Sequence, residues 1–558
     1  MAAAHVPARR DRATLRGGLT LPTLGYSHRS LALGREGLVS SCHPLATQAG
    51  VETLKAGGTA ADAAVATNAV LAVTQSNNCG LGGDLFCLYY EAATRKVHFL
   101  NGSGRSGSRA GLDELRRRRM DRLPIIGPPT ISVPGCVRGW AMLLERFGTR
   151  PMRELLQPAI HCASNGFPTT SLLSQSIREH LEVNPDLEWR RVFAPSGRVP
   201  QLGEPLIQAD LGRTLTEIAA EGPDVMYAGR VGRAIARRLE GDGFLTAEDL
   251  TQHTGAWEAP ISTTYRGVTV YETPPPTQGI SVLQMLNLLE PYELGKLDRL
   301  GPDAVHLLVQ AKQIAFHDRD RLVADPDFVK VPVARLLSKA YASERRAVLD
   351  PARALPWDRV PSSGSLEGDT VAVCAVDADG NAVSLIHSVY GLYGAGVVAG
   401  RTGVVLQNRS AYFSLDPAHP NRLEPGKIPL HTLIASLAFR HDSLWQVFGC
   451  MGADGQPQIH LQAYTAMIDH GLDVQEAVAA PRWLAGRFAL GDPRDLLNME
   501  ARFPAATLAE LERRGHLVHR WPAWEERAGH AHGITIDQAT GARIGGWDPR
   551  SDGAALGY

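Results

Sequence analysis

The period of the apolar positions changes near residue 370. Before that point it is mainly helical. Pro44 suits a helix's first turn, Leu45, Ala49, Val51 and Leu54 are apolar, and Gly57-Gly58 supplies a stop. Residues 60–72 are so rich in alanine and other small side chains that they predict a helix packed closely on a neighbour. Gly80-Leu-Gly-Gly83 breaks that helix, and residues 85–90 and 97–100 read as two strands. From about 135 to 350 the spacing predicts helices over 137–147, 152–165, 211–220 and 304–316. The basic run at 116–119 reads as a solvated helix face. Residues 361–368 are loop-like, and two β-rich runs follow, 370–376 and 382–388. Asp377-Ala-Asp-Gly-Asn381 between them signals a hairpin. Thr370 is thus expected at the first residue of a strand, directly after a loop. Further strands are expected at 397–398, 404–406, 433–439 and 445–448, and residues 1–35 are expected to form a loosely held tail.

Composition narrows the function classes. Charged residues make up 21% and formal charge is −1, so no electrostatic footprint points to nucleic acid or an acidic membrane surface. The basic N-terminus (Arg9, Arg10, Arg12, Arg16) has no apolar core of the roughly 7–15 residues a secretory signal needs. No stretch approaches the ~20 apolar residues of a membrane span. The expectation is a soluble, cytoplasmic protein, with a periplasmic location left open. The seven cysteines (42, 79, 87, 136, 162, 374, 450) are scattered without a Cys-x-x-Cys pair and read as small buried hydrophobes. No metal or organic cofactor is expected. Gly102-Ser-Gly-Arg-Ser-Gly107 matches a nucleotide fingerprint formally, but no second βαβ unit follows. His530-Ala-His532 lacks ligand-spaced partners and reads as a core or loop feature, and His43 and His387 read as packing residues. No Gly-x-Ser-x-Gly elbow is present, which disfavours an α/β-hydrolase triad.

Threonine is a common β-former, so Thr370 at a strand start could be structural alone. The position also permits chemistry. A hydroxyl that attacks its own preceding carbonyl makes an ester by acyl shift, and water then releases a new N-terminal threonine. That residue carries both a nucleophilic oxygen and a base, since an α-amino group titrates at about 7.7–8.0.

The chain resembles the γ-glutamyltransferase family from about Gly37 to Tyr558. The resemblance is carried by Val39-Ser-Ser-Cys-His-Pro-Leu-Ala46, Ala56-Gly-Gly-Thr-Ala-Ala-Asp-Ala-Ala-Val65, Gly80-Leu-Gly-Gly83 and Thr273-Pro-Pro-Pro-Thr-Gln-Gly279. Gly380-Asn-Ala-Val-Ser384, Leu406-Gln-Asn408 and Asp548-Pro-Arg-Ser-Asp-Gly-Ala-Ala-Leu-Gly557 continue it in order. The resemblance implies an α+β fold, the four-layer αββα sandwich of the N-terminal-nucleophile hydrolases. It implies self-cleavage between Asp369 and Thr370, a large subunit over 36–369, and a small subunit over 370–558 that stays with it as a heterodimer. Thr370 matches the nucleophile and Ser388 the hydroxyl that supports it. Gly452 and Ala453 match the glycine pair whose N–H groups form the oxyanion hole. Alanine is tolerable there provided the backbone does not need φ > 0. Arg105 matches the arginine that grips the substrate's terminal carboxylate.

Departures from the family pattern bear on the substrate. Thr370-Val371-Ala372 replaces the frequent Thr-Thr-His. The Asn, Gln and Asp that clamp a γ-glutamyl α-amine in the family fall on Tyr390, Arg409 and Tyr412, and the assisting Ser-Ser pair becomes His431-Thr432. An acyl donor with a carboxylate but no obligatory α-amine follows. This resembles the branch of γ-glutamyltransferase-type cephalosporin acylases, which cleave glutaryl amides and keep weak γ-glutamyl transfer. Small-amide (oxamate-like) amidohydrolase, conventional glutathione hydrolase and a non-catalytic binding protein are the alternatives.

Overall fold

The computed structural model describes residues 29–358, 360, 368–488 and 492–558. Most of the expected tail and residues 361–367 of the expected loop lie outside the described residues. Within the expected tail, Ala32–Gly34 forms a strand paired with Arg543–Trp547.

Two seven-stranded sheets stack face to face. One runs, edge to edge, Ala554–Gly557, Leu38–Ser41, Asp369–Val376, Ala382–Tyr390, Asp84–Glu91, Lys96–Gly102, Ala256–Glu258. The other runs Ala32–Gly34, Arg543–Trp547, Ala531–Ile536, Ser443–Cys450, Ala435–Arg440, Val268–Glu272, Ile261–Tyr265. Phe86, Phe99, Ala372, Ile386, Leu437 and Val447 fill the layer between them. Helices Pro44–Lys55 and Ala60–Thr74 cover the first sheet. Helices Gly279–Leu289, Pro302–Leu322 and Gln456–Ile468 cover the second. This is the expected αββα sandwich. Among the described residues no helix is long and apolar enough to cross a membrane.

Local chemistry explains the layers nearest the hairpin. Thr59 and Asp62 close a reciprocal capping box at the start of Ala60–Thr74. That helix is buried on every side, and its small residues let Pro44–Lys55 approach so closely that a Cβ at Gly50 would lie 2.2 Å from Thr67 Oγ1. Asp377 ties the hairpin to this layer by accepting the N–H of Ala60 at 2.9 Å. Gly380, at φ +85°, makes the turn that Asp-Gly predicted.

The structure corrects several expectations. Asp369, not Thr370, begins the strand. Residues 397–398 and 404–406 form only isolated bridges, Val398 with Val405 and Gly82 with Leu406. The largely helical middle contributes three sheet strands, Ala256–Glu258, Ile261–Tyr265 and Val268–Glu272, whose outward positions are polar and so dilute the apolar signal. The expected helix over 152–165 is two, Met152–Leu155 and Gln157–Asn165, with Pro158 in the first turn of the second. All seven cysteines are free and all but Cys162 are fully buried. His532 is a core residue, 3.3 Å from Cys42 Sγ and from Ser40 Oγ, and the His43 side chain caps its own helix.

Candidate active site

Thr370 is buried as the second residue of Asp369–Val376, and its partner strand carries a bulge opposite it. Asp369 pairs with Tyr390 and Val371 with His387, so Ser388 and Val389 together face Thr370. The bulge turns Ser388 inward. Its hydroxyl donates to the carbonyl oxygen of Asp369 at 2.5 Å, and that carbonyl belongs to the peptide bond entering Thr370. Tyr390, held at φ +80°, returns its backbone N–H to Ser388 Oγ at 2.7 Å. A bulky residue in this region of backbone space is strained, and such strain is tolerated where surrounding structure enforces it.

Gln456 lies on the other side. It opens the helix Gln456–Ile468, its carbonyl takes the N–H of Ile434 at 3.0 Å, and its amide nitrogen faces Thr370 Oγ1 at 3.5 Å.

Gly452 and Ala453 close the site. Among the described residues neither backbone N–H has an acceptor. Gly368 packs directly against the Ala453 methyl, where a Cβ on Gly368 would lie only 2.7 Å away. Gly368, the residue before Asp369, thus lies directly beside Ala453. The proviso attached to alanine fails, because Ala453 sits at φ +47° beside Gly452 at φ +140°. An L-residue with a Cβ costs about 1–2 kcal/mol there. Ala453→Gly is expected to stabilise the fold by about 1 kcal/mol, read as a higher denaturant midpoint, with the amide kept in position.

The residues expected to form the acyl pocket come together around Arg409. This guanidinium is fully buried. It donates to Thr432 Oγ1 at 2.9 Å and to Ser388 Oγ at 3.3 Å, and it lies over the Tyr390 ring at 4.4 Å. Burial pulls its pKa down to about 10, against the opposing pull of Asp84. Asp84 accepts from Gly104 N–H at 2.9 Å, Gln407 at 2.9 Å and His431 Nε2 at 3.0 Å. Burial pushes this carboxyl up to about 7 although Arg409 and its donors favour the anion. His431 is held neutral by burial and by Arg409. Tyr412 crosses Tyr390 edge-on and donates to the Asp454 carboxylate at 2.9 Å, which Arg319 also engages at 2.8 Å. An acid is therefore present, but its oxygens are already engaged by Tyr412 and by Arg319, which also pairs with Asp320 at 2.7 Å.

Arg105 is not brought to this cluster. Its guanidinium contacts Asp327 at 2.7 Å, Asp325 at 3.4 Å and the Gly426 carbonyl at 3.0 Å, and it lines a separate cavity of about 530 Å³. A second cavity, of about 520 Å³, opens onto Gly368, Asp369 and Gly452, with Phe488, Glu179, Glu525 and Arg527 in its wall.

Sequence reasoning missed Gln456, Asp84, Gln278 and the Arg319–Asp454 pair. Gln278 holds the Gly452-Ala453 segment by donating to the carbonyls of Thr432 and Ala453, both at 2.8 Å. The available signals were an acid directly after Gly80-Leu-Gly-Gly83 and polar residues in otherwise apolar, buried segments.

A strand-borne threonine with a hydroxyl on the preceding carbonyl and two free amides nearby, all inside an αββα sandwich, defines the N-terminal-nucleophile hydrolase class of fold. The family model described as Gamma-glutamyltranspeptidase matches residues 46–558, and the chain belongs to that family. It is 37% identical over 529 residues to the "Glutathione hydrolase-like YwrD proenzyme" of Bacillus subtilis (strain 168), covering 94% of this chain and 99% of that protein. It is 38% identical over 504 residues to the "Acylase ACY 1 proenzyme" of Pseudomonas sp. (strain SE83), covering 88% of each. The crystal structure of cephalosporin acylase from Bacillus halodurans superposes with a TM-score of 0.87 at 34% identity, over 97% of this chain and 99% of that one. The chain is thus an enzyme of a family whose relatives here are hydrolases and acylases.

Proposed function

We propose that the chain is an autoprocessing amidohydrolase that cuts its own Asp369–Thr370 bond and then cleaves glutaryl-type amides through a Thr370 acyl-enzyme. The observation that carries the first half is the Ser388 hydrogen bond to the Asp369 carbonyl. In the reaction, Thr370 Oγ1 attacks that carbonyl carbon and its proton passes to the departing Thr370 nitrogen. The resulting ester is hydrolysed to leave an Asp369 carboxylate and a free Thr370 amine. Residues 36–369 and 370–558 then form the two subunits. In turnover the Thr370 amine accepts the hydroxyl proton, the substrate amide is attacked, and the amine returns the proton to the leaving group. Gly452 and Ala453 donate to the oxyanion, a task in which one lost donor typically costs about 10²–10³-fold in rate.

The engaged oxygens of Asp454, together with the Arg409 cation, support the second half. An α-ammonium on the acyl group would meet the Arg409 cation and an acid already shared between Arg319 and Tyr412. A glutaryl group lacks that ammonium. Arg105 can serve its carboxylate only after leaving Asp325 and Asp327.

Matched hydrolysis assays on glutaryl-p-nitroanilide and γ-glutamyl-p-nitroanilide test the substrate reading. Glutaryl should be faster by at least about tenfold, the equivalent of 1.4 kcal/mol. Equal rates, or faster γ-glutamyl cleavage, would overturn the reading and return the chain to conventional γ-glutamyl chemistry.

A further inference from the structure

A hydroxyl has one proton and two lone pairs. At Ser388 both lone pairs are spoken for, by the Tyr390 N–H at 2.7 Å and by Arg409 Nη2 at 3.3 Å. The single proton is therefore directed at the Asp369 carbonyl, 2.5 Å away. Arg409 is placed to act through this hydroxyl. No carboxylate hydrogen-bonds to it among the described residues, its Nε has no acceptor there, and its Nη1 donates to a neutral hydroxyl on Thr432. Asp84 reaches it only through space, with its own oxygens taken by Gly104, Gln407 and His431. A buried cation with no direct ion pair is only partly offset by acids acting through space, and its field falls on Ser388 and on the carbonyl beyond it.

We propose that Arg409 is a positioning residue for self-cleavage: it polarises and orients Ser388, so that the oxygen of Asp369 is stabilised as negative charge develops on it. When Thr370 Oγ1 bonds to the Asp369 carbon, the carbonyl π pair moves onto that oxygen. The Ser388 proton stays hydrogen-bonded to it, and Arg409 strengthens that donor without giving up a proton. The pair returns as the carbon–nitrogen bond to Thr370 breaks. This rests on the proposed Asp369–Thr370 cut, and it gives Arg409 a task before any substrate is present.

Cell-free synthesis of the full chain sets a clean zero time, and denaturing gels then follow the two fragments as they appear. Arg409→Gln is expected to slow self-cleavage by at least about tenfold and by no more than the roughly 10²–10³-fold cost of removing a direct oxyanion donor, because Ser388 remains. Arg409→Lys should recover part of the rate, and should lose it as pH rises through the pKa of the buried amine, at a pH below any step set by Arg409 in the wild type. In Arg409→Gly, millimolar methylguanidinium should accelerate cleavage. Slow cleavage in folded Arg409→Gln and Arg409→Gly chains, with neither methylguanidinium rescue nor the lysine pH step, assigns Arg409 a purely structural role and overturns the proposal. So does cleavage of Arg409→Gln at the wild-type rate. A Thr370→Ala chain run alongside separates the two ideas, because fragments from that chain would sink the underlying cut rather than the role of Arg409.

Discussion

Thr370→Ala is expected to yield a chain that stays in one piece and turns over no amide. The loss should be total for processing and on the order of 10⁶-fold for turnover, the scale seen when a hydroxyl nucleophile is deleted elsewhere. Alanine removes only the hydroxyl and a methyl from a buried strand position. Ser388 would keep its carbonyl acceptor, Tyr390 its N–H contact, and Gly452 and Ala453 their free amides. Folding should therefore survive, and the variant isolates chemistry from stability. Denaturing gels and mass spectrometry read the first effect: one species of about the full 60.2 kDa, where the wild type gives two. Thr370→Ser keeps an attacking oxygen and should still process. A Thr370→Ala chain that cuts itself between residues 369 and 370 would end the assignment.

The second large effect lies away from the nucleophile. Asp548 is fully buried between Arg482 at 2.8 Å and Arg550 at 3.0 Å, and Arg550 also engages Glu500 at 2.6 Å. Arg482 in turn donates to the carbonyls of Ala528 at 2.9 Å and Gly529 at 2.6 Å. The next carbonyl, that of His530, accepts the N–H of Met451 at 2.8 Å, immediately before Gly452. One buried carboxylate thus anchors the oxyanion segment through three steps. Asp548→Asn keeps the shape but leaves the buried Arg482 without its carboxylate partner, while Arg550 keeps Glu500; breaking a buried pair in this way costs about 3–5 kcal/mol. Loss of thermal stability and slower processing should appear together.

The pH dependence of this cluster has a definite sign. Burial pushes the Asp548 carboxyl up, but Arg482 and Arg550 outweigh it and hold the group well below the ordinary carboxylate range. A depressed carboxylate contributes fully above its unfolded pKa of about 3.9, and that contribution fades as pH falls towards the folded value. The stability gap between wild type and Asp548→Asn should be flat from about pH 5 to 8 and narrow below about pH 4. Denaturant midpoints across that range measure it. A gap that closes on the alkaline side would show that Asp548 is not ionised in the native chain.

Much of the architecture could be read before any coordinates. The hairpin from Asp369–Val376 to Ala382–Tyr390 declares itself because β-branched runs flank an Asp-Gly turn. The Ala60–Thr74 helix does so because only close packing suits so many small residues. Ile261–Tyr265 was hidden because an edge strand with polar outward positions looks like a loop. At the site, residue types were legible where motifs carried them, but pairings were not. Asp454 meets Arg319 across 135 positions, and Gln456 meets Thr370 across 86. Arg105 was expected among the substrate residues, yet two acids hold it elsewhere, and no local spacing reveals a partner more than 200 positions away. The positive φ of Ala453 was equally invisible, since alanine gives no warning of it.

The strand Asp369–Val376 lies between Leu38–Ser41 on one side and Ala382–Tyr390, backed by Asp84–Glu91, on the other. The proposed cut before Thr370 would sever Asp369, paired with Tyr390, from this strand and leave the pairs from Val371 onward in place, yet it would change the order of the folding reaction. The intact chain finds its fold as a first-order event, independent of how dilute it is. Two separated pieces must first meet, and each carries strands whose pairing edges belong to the other, so their recovery becomes second-order and competes with aggregation. The proposed cut would thus turn an equilibrium fold into one defended by its unfolding barrier, and the persistence of the cut form would become a matter of rates.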